Sequence, residues 1–368
     1  MSALLLARLG WRTALLERGG RGRAKACGQC LSGWILKALD RRGLGADIRS
    51  LSMGATRWIR VHVPGCRPVS ASLVDGPDGD AGIIVKRPAL DQRLIDYAGR
   101  AGVDVRYRAS ARIESVPGAG DAVEVVVPAK GLRLRSALIV GADGLASGVA
   151  KAAGLASRRS YGRAFGFAFD LECEQEEALR RDTIEMFVIR GGYLGVVNCG
   201  GGVLHIAGLV RDDCRQPRSP DAFVEALAGR FALLERLGLG RLGRMRQGPM
   251  LGAGPIPWRP QAVARGQVVL VGDAAGYAEP FTGEGMSCAL ASAEVLAEVA
   301  ADRQPGSWSP AASRLYRRLW RSRIGPRVRT ARLMRHLLAR PRATVRLLEA
   351  TGAHGKIASW LIGRVVTS

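Results

Sequence analysis

Residues 268–286 restrict this chain more than any other stretch: Val268-Val-Leu-Val-Gly272-Asp273-Ala-Ala-Gly-Tyr-Ala-Glu-Pro280-Phe-Thr-Gly283-Glu284-Gly285-Met286. Val268 to Val271 is a short apolar run without alternation, the pattern of a parallel strand covered on both faces. Gly272 ends that strand, and Asp273 sets a carboxylate at its carboxyl end, where open α/β sheets bind ligands. Gly283 and Gly285 let backbone approach a ligand with no side chain between. A helix rich in Ala, Leu and Val is expected from Met286 to Ala301, and the free N–H groups at its start favour negative charge. The stretch suits a polyol and the anionic edge of a ring.

A second stretch has the same form. Leu138-Ile-Val-Gly141-Ala-Asp143-Gly144-Leu-Ala-Ser147 is an apolar strand that runs into Gly-Ala-Asp-Gly, with a helix expected to start near Ser147. Asp143 either caps that helix or serves a ligand at the strand end. Together the two stretches resemble the motifs of FAD-dependent oxidoreductases with the glutathione-reductase type of fold. The resemblance is to the group of geranylgeranyl reductases and flavin aromatic hydroxylases. The first matches that group's Gly-Asp followed by Pro-x-x-Gly-x-Gly. The second matches its Gly-Ala-Asp-Gly-x-x-Ser-x-Val-Arg, with Lys151 in place of the Arg. The resemblance implies FAD as cofactor and NAD(P)H as electron donor. It implies Gly272 and Asp273 on the ribityl chain, and Pro280, Gly283, Glu284, Gly285 and Met286 at the pyrimidine edge. Asp143 and Gly144 would touch FAD and the pyridine nucleotide.

Three further segments bear on the same reading. Lys25-Ala-Cys27-Gly28-Gln29-Cys30-Leu31-Ser32 is similar to the group's Lys-x-Cys-Gly-Glu-x-Leu-Ser loop, which implies Cys27 and Gly28 close to the flavin, with Gln29 in place of the acid. Read alone, Cys-x-x-Cys is a redox pair or half a zinc site, and no second pair exists to complete the zinc site. Arg87 opens a helix with Leu90, Leu94, Ile95 and Ala98 at helical spacing. It is either exposed or, as the resemblance implies, turned to the cofactor. Arg190 to Val210 reads as a hairpin with a glycine turn. Its position is similar to the Tyr-x-Trp-x-Phe-Pro segment of geranylgeranyl reductases, but Gly195, Val197 and Asn198 replace Trp, Phe and Pro. Tyr193 remains as a substrate-side candidate, with Trp258. His205 alternates with apolar residues and reads as a satisfied sheet histidine rather than a catalyst.

At the amino end, Ser2 to Leu9 is a short helix stopped by Gly10. Trp11 to Glu17 is a strand ending in an acid. In dinucleotide-binding βαβ units such an acid holds ribose hydroxyls about 20 residues beyond a glycine fingerprint, and Glu17 suits that role. Counting back puts the fingerprint before Met1. A start placed downstream of the true one is favoured over a truncated chain or a relative that no longer binds flavin. The missing strand would lie mid-sheet, so its neighbours would lose backbone partners.

The rest of the chain gives coarser signals. Residues 50–85 should be β-rich, and residues 102–107 a strand. Residues 109–116 and 122–128 should form a meander turning at 118–120. Residues 165–173 and 183–188 are strand-like, Asp221 to Leu237 reads as one amphipathic helix, and Pro249 to Pro260 as a return strand. The expected architecture is α/β: a Rossmann-like FAD/NAD(P)-binding parallel sheet with an inserted, mainly antiparallel β substrate domain and carboxyl-terminal helices. The FAD domain would comprise 1–50, 84–155 and 262–303, the substrate domain 51–83 and 156–261, and a basic helical region 304–368.

Composition narrows the partners. The 368 residues suffice for two domains, and no apolar run approaches a membrane span. Seven scattered cysteines argue for reduced thiols in the cytoplasm, and the four histidines lie too far apart in sequence for metal-ligand spacing. Arginine dominates the formal charge of +23, but it is spread evenly and few aromatics accompany it, which argues against nucleic acid. The exception is residues 311–348, with twelve Arg and no acid. That region is either a solvated face or a peripheral contact with anionic lipid or an acyl carrier. The expected activity is reduction of a double bond in a hydrophobic small molecule. The alternatives are hydroxylation of an aromatic or polyketide substrate, and a non-enzymatic relic without FAD.

Overall fold

The computed structural model describes residues 1–74, 81–115, 122–156, 164–211, 220–237, 246–254, 262–277, 281, 283–338 and 340–350. Parallel pairings form the first layer. β1 (Ala14–Glu17) pairs with β7 (Asp104–Tyr107), and β11 (Ile139–Gly141) pairs with β18 (Val268–Leu270). β17 (Ala264–Arg265) joins β18 antiparallel. These strands form two separate sheets, and no described strand links β1 to β11.

Val268, Val269 and Leu270 are fully buried, as an unbroken apolar run requires. Behind them runs α8 (Glu284–Ala301), which packs against α1 (Ser2–Arg8), α2 (Gly33–Asp40) and α9 (Pro310–Arg323). Its small side chains are buried around most of its circumference, so it is a core helix rather than an amphipathic surface one. α5 (Gly148–Ala152) follows β11 and is capped by Ser147. A small antiparallel sheet of β2 (Cys30–Leu31), β6 (Gly82–Ile84) and β3 (Gly54–Thr56) stands beside α2 and α3 (Gly45–Arg49). α4 (Arg87–Arg100) starts just after β6.

The second layer is a seven-stranded sheet. Its order is β16 (Arg246–Ala253), β12 (Ala164–Glu172), β15 (Val203–Arg211), β14 (Gly192–Gly200), β13 (Thr183–Ile189), β4 (Trp58–His62) and β5 (Val69–Ser72). Only the β13–β4 pairing is parallel. Phe169, Leu194, Val196 and Ile206 point to the outer face, under α6 (Pro220–Ala228) and α7 (Ala232–Arg236). Met186, Val188, Tyr193 and Leu209 alternate to the inner face and pack with Phe281 and Leu338. The last described helices are α10 (Gly325–Leu338) and α11 (Pro341–Ala350).

Three expectations need correction. The helix read over Asp221 to Leu237 is two helices, because the chain breaks at Gly229–Arg230 and Phe231 is extended. The meander has three strands: β8 (Arg112–Ser115), β9 (Val123–Val127) and β10 (Leu132–Ser136). The last follows a left-handed turn at Gly131, which the alternation of residues 109–128 does not reveal. The helix α8 begins two residues earlier than Met286, so Glu284 and Gly285 lie inside its first turn.

Candidate active site

The site grows from the end of β18. Gly272 has φ +58°, and a Cβ there would lie 3.3 Å from the Ala289 methyl of α8. Glycine is therefore required both by conformation and by space. Its N–H donates to Ser292 Oγ at 2.9 Å, which ties the turn to α8. Gly283, with φ +68°, is the residue before α8, and no side chain caps the helix. A Cβ added at Gly28, Gly283 or Gly285 would meet nothing within 4 Å.

Asp273 is half-buried and has no hydrogen-bond partner among the described residues. Burial pushes its carboxyl up to about 6, with Arg87 and Lys25 pulling the other way. Those cations come from the two segments flagged by sequence. Arg87 grips Asp91 through two bonds of 3.0 Å. Burial alone would lower the Arg87 pKa, but Cys27 and Asp91 hold it above the ordinary value. Lys25 Nζ reaches Asp91 Oδ2 at 2.8 Å. So the Cys27 loop and the start of α4 meet at Asp91, close enough for both cations to act on Asp273, and Arg87 is mostly buried rather than exposed.

The loop itself is held from several sides. Gln29 has a left-handed φ of +59°, and its Oε1 is buried without a partner. The Cys27 carbonyl accepts a bond from His205 Nε2 at 2.7 Å. His205 Nδ1 lies 2.6 Å from Asp170 Oδ1. Asp170 and His205 are directly opposed in the β12–β15 register. The hydrogen bond from His205 holds the Asp170 carboxyl below the usual range, with the charges of His205 and Lys86 adding to it. His205 is thus satisfied at both nitrogens, as its sequence pattern predicts. Its bridge to the Cys27 loop was not legible. The only signal was one acid and one histidine inside two apolar strands.

Other candidates sit as follows. Glu17 ends β1, and its Oε1 accepts the Gly19 N–H at 2.7 Å. Asp143 is exposed and accepts from Ser147 Oγ at 2.5 Å and from the Val149 N–H at 3.1 Å, so it helps to cap α5. Gly144 has φ +80° and open space at its Cβ position. Met286 packs at the edge of the cluster around α2 and α4. Glu284 is 2 % exposed and pairs with Arg327 at 3.3 Å, away from solvent. Tyr193 is buried on the inner face, with the Phe281 ring edge-on at 5.4 Å. At Gly195 a Cβ would lie 2.9 Å from the Met186 sulfur, so Met186 occupies the space that a side chain at 195 would need. Trp258 and Pro280 lie outside the described residues.

Residues 1–183 match the family described as FAD binding domain. The chain is an FAD-dependent oxidoreductase. It is similar to digeranylgeranylglycerophospholipid reductase 1 of Methanococcoides burtonii, with 25% identity over 79% of this chain and 74% of the relative. Among solved structures, it resembles a geranylgeranyl bacteriochlorophyll reductase-like protein from Thermoplasma acidophilum (TM-score 0.79, 19% identity, 100% of this chain and 92% of that one). It also resembles Klebsiella pneumoniae HpxO complexed with FAD (TM-score 0.73, 18% identity, 100% and 95%). The oxidoreductase is thus similar to geranylgeranyl reductase-like proteins, and it shares its fold with a protein that has been seen with FAD bound. The residues present fit FAD. Gln29 Oε1 is buried without a partner, and Asp273 has none among the described residues; both suit a hydroxyl-bearing cofactor, and the glycines at 28, 283 and 285 leave room for one.

Proposed function

We propose that this enzyme uses FAD, reduced by NADH or NADPH, to saturate a double bond in a hydrophobic small molecule. FAD supplies the hydride chemistry when bound. The chain supplies placement. Asp273 accepts from hydroxyls of the ribityl chain, and Glu17 from those of the ribose. The uncapped start of α8, at Gly283 to Met286, favours negative charge on the pyrimidine edge. Arg87 and Lys25 keep the Asp273 side of the site electropositive.

One observation carries the substrate class. The inner face of the seven-stranded sheet meets Tyr277 and Phe281 through apolar and aromatic side chains, with Tyr193 against Phe281. A polar substrate would find few partners there, whereas a hydrocarbon chain would bury apolar surface. The phospholipid reductases among the relatives fit this reading.

The test is anaerobic. The protein, loaded with FAD and supplied with NADPH or NADH, is incubated with a geranylgeranyl lipid, and the product is weighed. A gain of two hydrogens per double bond supports the reading. In a parallel incubation under air, oxygen uptake matched to a hydroxylated product would replace it with the hydroxylase. Absence of flavin absorbance, both in this chain and in a version extended upstream, would end the oxidoreductase reading.

A further inference from the structure

We infer that helices α9 to α11 dock the protein on an anionic lipid surface. Residues 311–348 hold twelve arginines and no acid. The fold turns many of them outward. On α9, Arg314, Arg318 and Arg321 are exposed at i, i+4 and i+7, which is one stripe of the helix. On α10, Arg329 is exposed one turn before Leu333. On α11, Arg342 and Arg346 are exposed one turn apart. Among the described residues, no carboxylate lies within ion-pair distance of any of these six arginines. Some exposed arginines elsewhere have such partners, as Arg21 has Asp96 and Arg133 has Glu114, whereas others, such as Arg112 and Arg135 on the meander, share their lack of one.

Leu333 makes the surface lipid-like rather than merely basic. At 51% exposure it is the most exposed large apolar side chain among the described residues. Guanidinium forks match phosphate oxygens, and an exposed apolar side chain one turn from Arg329 gains only where hydrocarbon lies beneath the phosphates. Nucleic acid offers the first and not the second.

Two of these helices also reach the substrate side. Leu337 and Leu338 of α10 and Val345 of α11 pack in the cluster that contains Tyr193 and Phe281. α10 and α11 therefore carry both exposed arginines and part of the apolar cluster of the site. A membrane-borne substrate would enter past these two helices. Docking itself does not depend on FAD; its purpose rests on the proposed hydrophobic substrate.

The full chain is sedimented with vesicles of phosphatidylglycerol and phosphatidylcholine, and with phosphatidylcholine alone, at low and high salt. Turnover plays no part in this readout, so its failure is separate from failure of the catalytic reading. Two triple variants change net charge equally. One is Arg314→Glu, Arg318→Glu, Arg321→Glu on α9. The other is Arg112→Glu, Lys130→Glu, Arg135→Glu on the exposed meander. Binding is expected only to anionic vesicles, is lost at high salt, and is weakened at least about tenfold by the α9 triple alone. Leu333→Glu should weaken it too. Equal loss in both triples would mean that overall charge, not this face, binds the lipid. No binding to anionic vesicles at low salt would also overturn the inference.

Discussion

Asp273 meets two opposed demands. Under the proposed function a cofactor hydroxyl would donate to its carboxylate, yet burial pushes that carboxyl up to about 6. The consequence for stability has a definite sign. Unfolded, the group titrates near 3.8, so between 3.8 and about 6 the folded state holds the proton more tightly. Its contribution is present below the unfolded value and lost as pH rises through about 6. Asp273→Asn should therefore flatten the fall in melting temperature across that window. It should also weaken FAD by about 2 kcal/mol, the scale of a hydrogen bond to a charged group. Parallel melting curves for the two proteins would show that Asp273 is not penalised as described. His205 carries the opposite sign through its partner. Asp170 is held below its ordinary value, so its contribution is present above about 3.8 and is lost as pH falls further. His205→Leu removes both bonds and should cost about 3 kcal/mol in urea unfolding. The gap from wild type should narrow below about pH 3.8; a constant gap would show that Asp170 is not its partner in stability.

At the scale of elements, the start of α8 is fastened to the carboxyl-terminal helices. Glu284 meets Arg327 of α10, and the Arg327 guanidinium lies 4.3 Å from the Trp34 ring of α2. Burial pushes Glu284 up to about 8, with Arg327 pulling the other way. A raised carboxyl contributes stability below its unfolded value near 4.5, and loses it as pH rises through about 8. Glu284→Gln should flatten the melting curve across that window. Arg327→Leu leaves the acid buried alone and should cost about 3 kcal/mol, most of it recovered in the double variant. Additive losses in the double variant would mean that the two side chains act separately. Such a tie could not be read from sequence, because 43 residues separate the partners and α10 looks uniformly basic. What was legible is what depends on local pattern. The apolar run 268–270 gave β18, and Gly200 to Gly202, all with positive φ, gave the β14–β15 turn. The motif residues Asp273, Cys27 and Arg87 were legible through resemblance, but their convergence was not. It depends on long-range register such as Asp170 opposite His205, which no local spacing encodes. The break at Gly229 was missed because the apolar periodicity carries across it.

At the scale of the whole molecule, the two parallel sheets pose one question. Glu17 ends β1 in the first sheet, and Asp273 follows β18 in the second. The described backbone does not join them, so each sheet can open without breaking a strand pair in the other. A dinucleotide with its ribose at Glu17 and its ribityl chain at Asp273 would join them through the ligand. Ligand binding to the folded state stabilises by mass action, about 2.7 kcal/mol at one hundred times the dissociation constant. That stabilisation reaches only the parts that must be in place for the ligand to bind. Hydrogen exchange with and without FAD therefore separates two outcomes. Slower exchange at both Ala14–Glu17 and Val268–Leu270, with little change on the meander β8 to β10, would show one ligand spanning both sheets. Protection confined to Val268–Leu270 would mean that the flavin half binds while the adenosine half is not held at Glu17. In that case Glu17→Gln should leave FAD affinity unchanged, whereas under the spanning arrangement it should weaken FAD about tenfold.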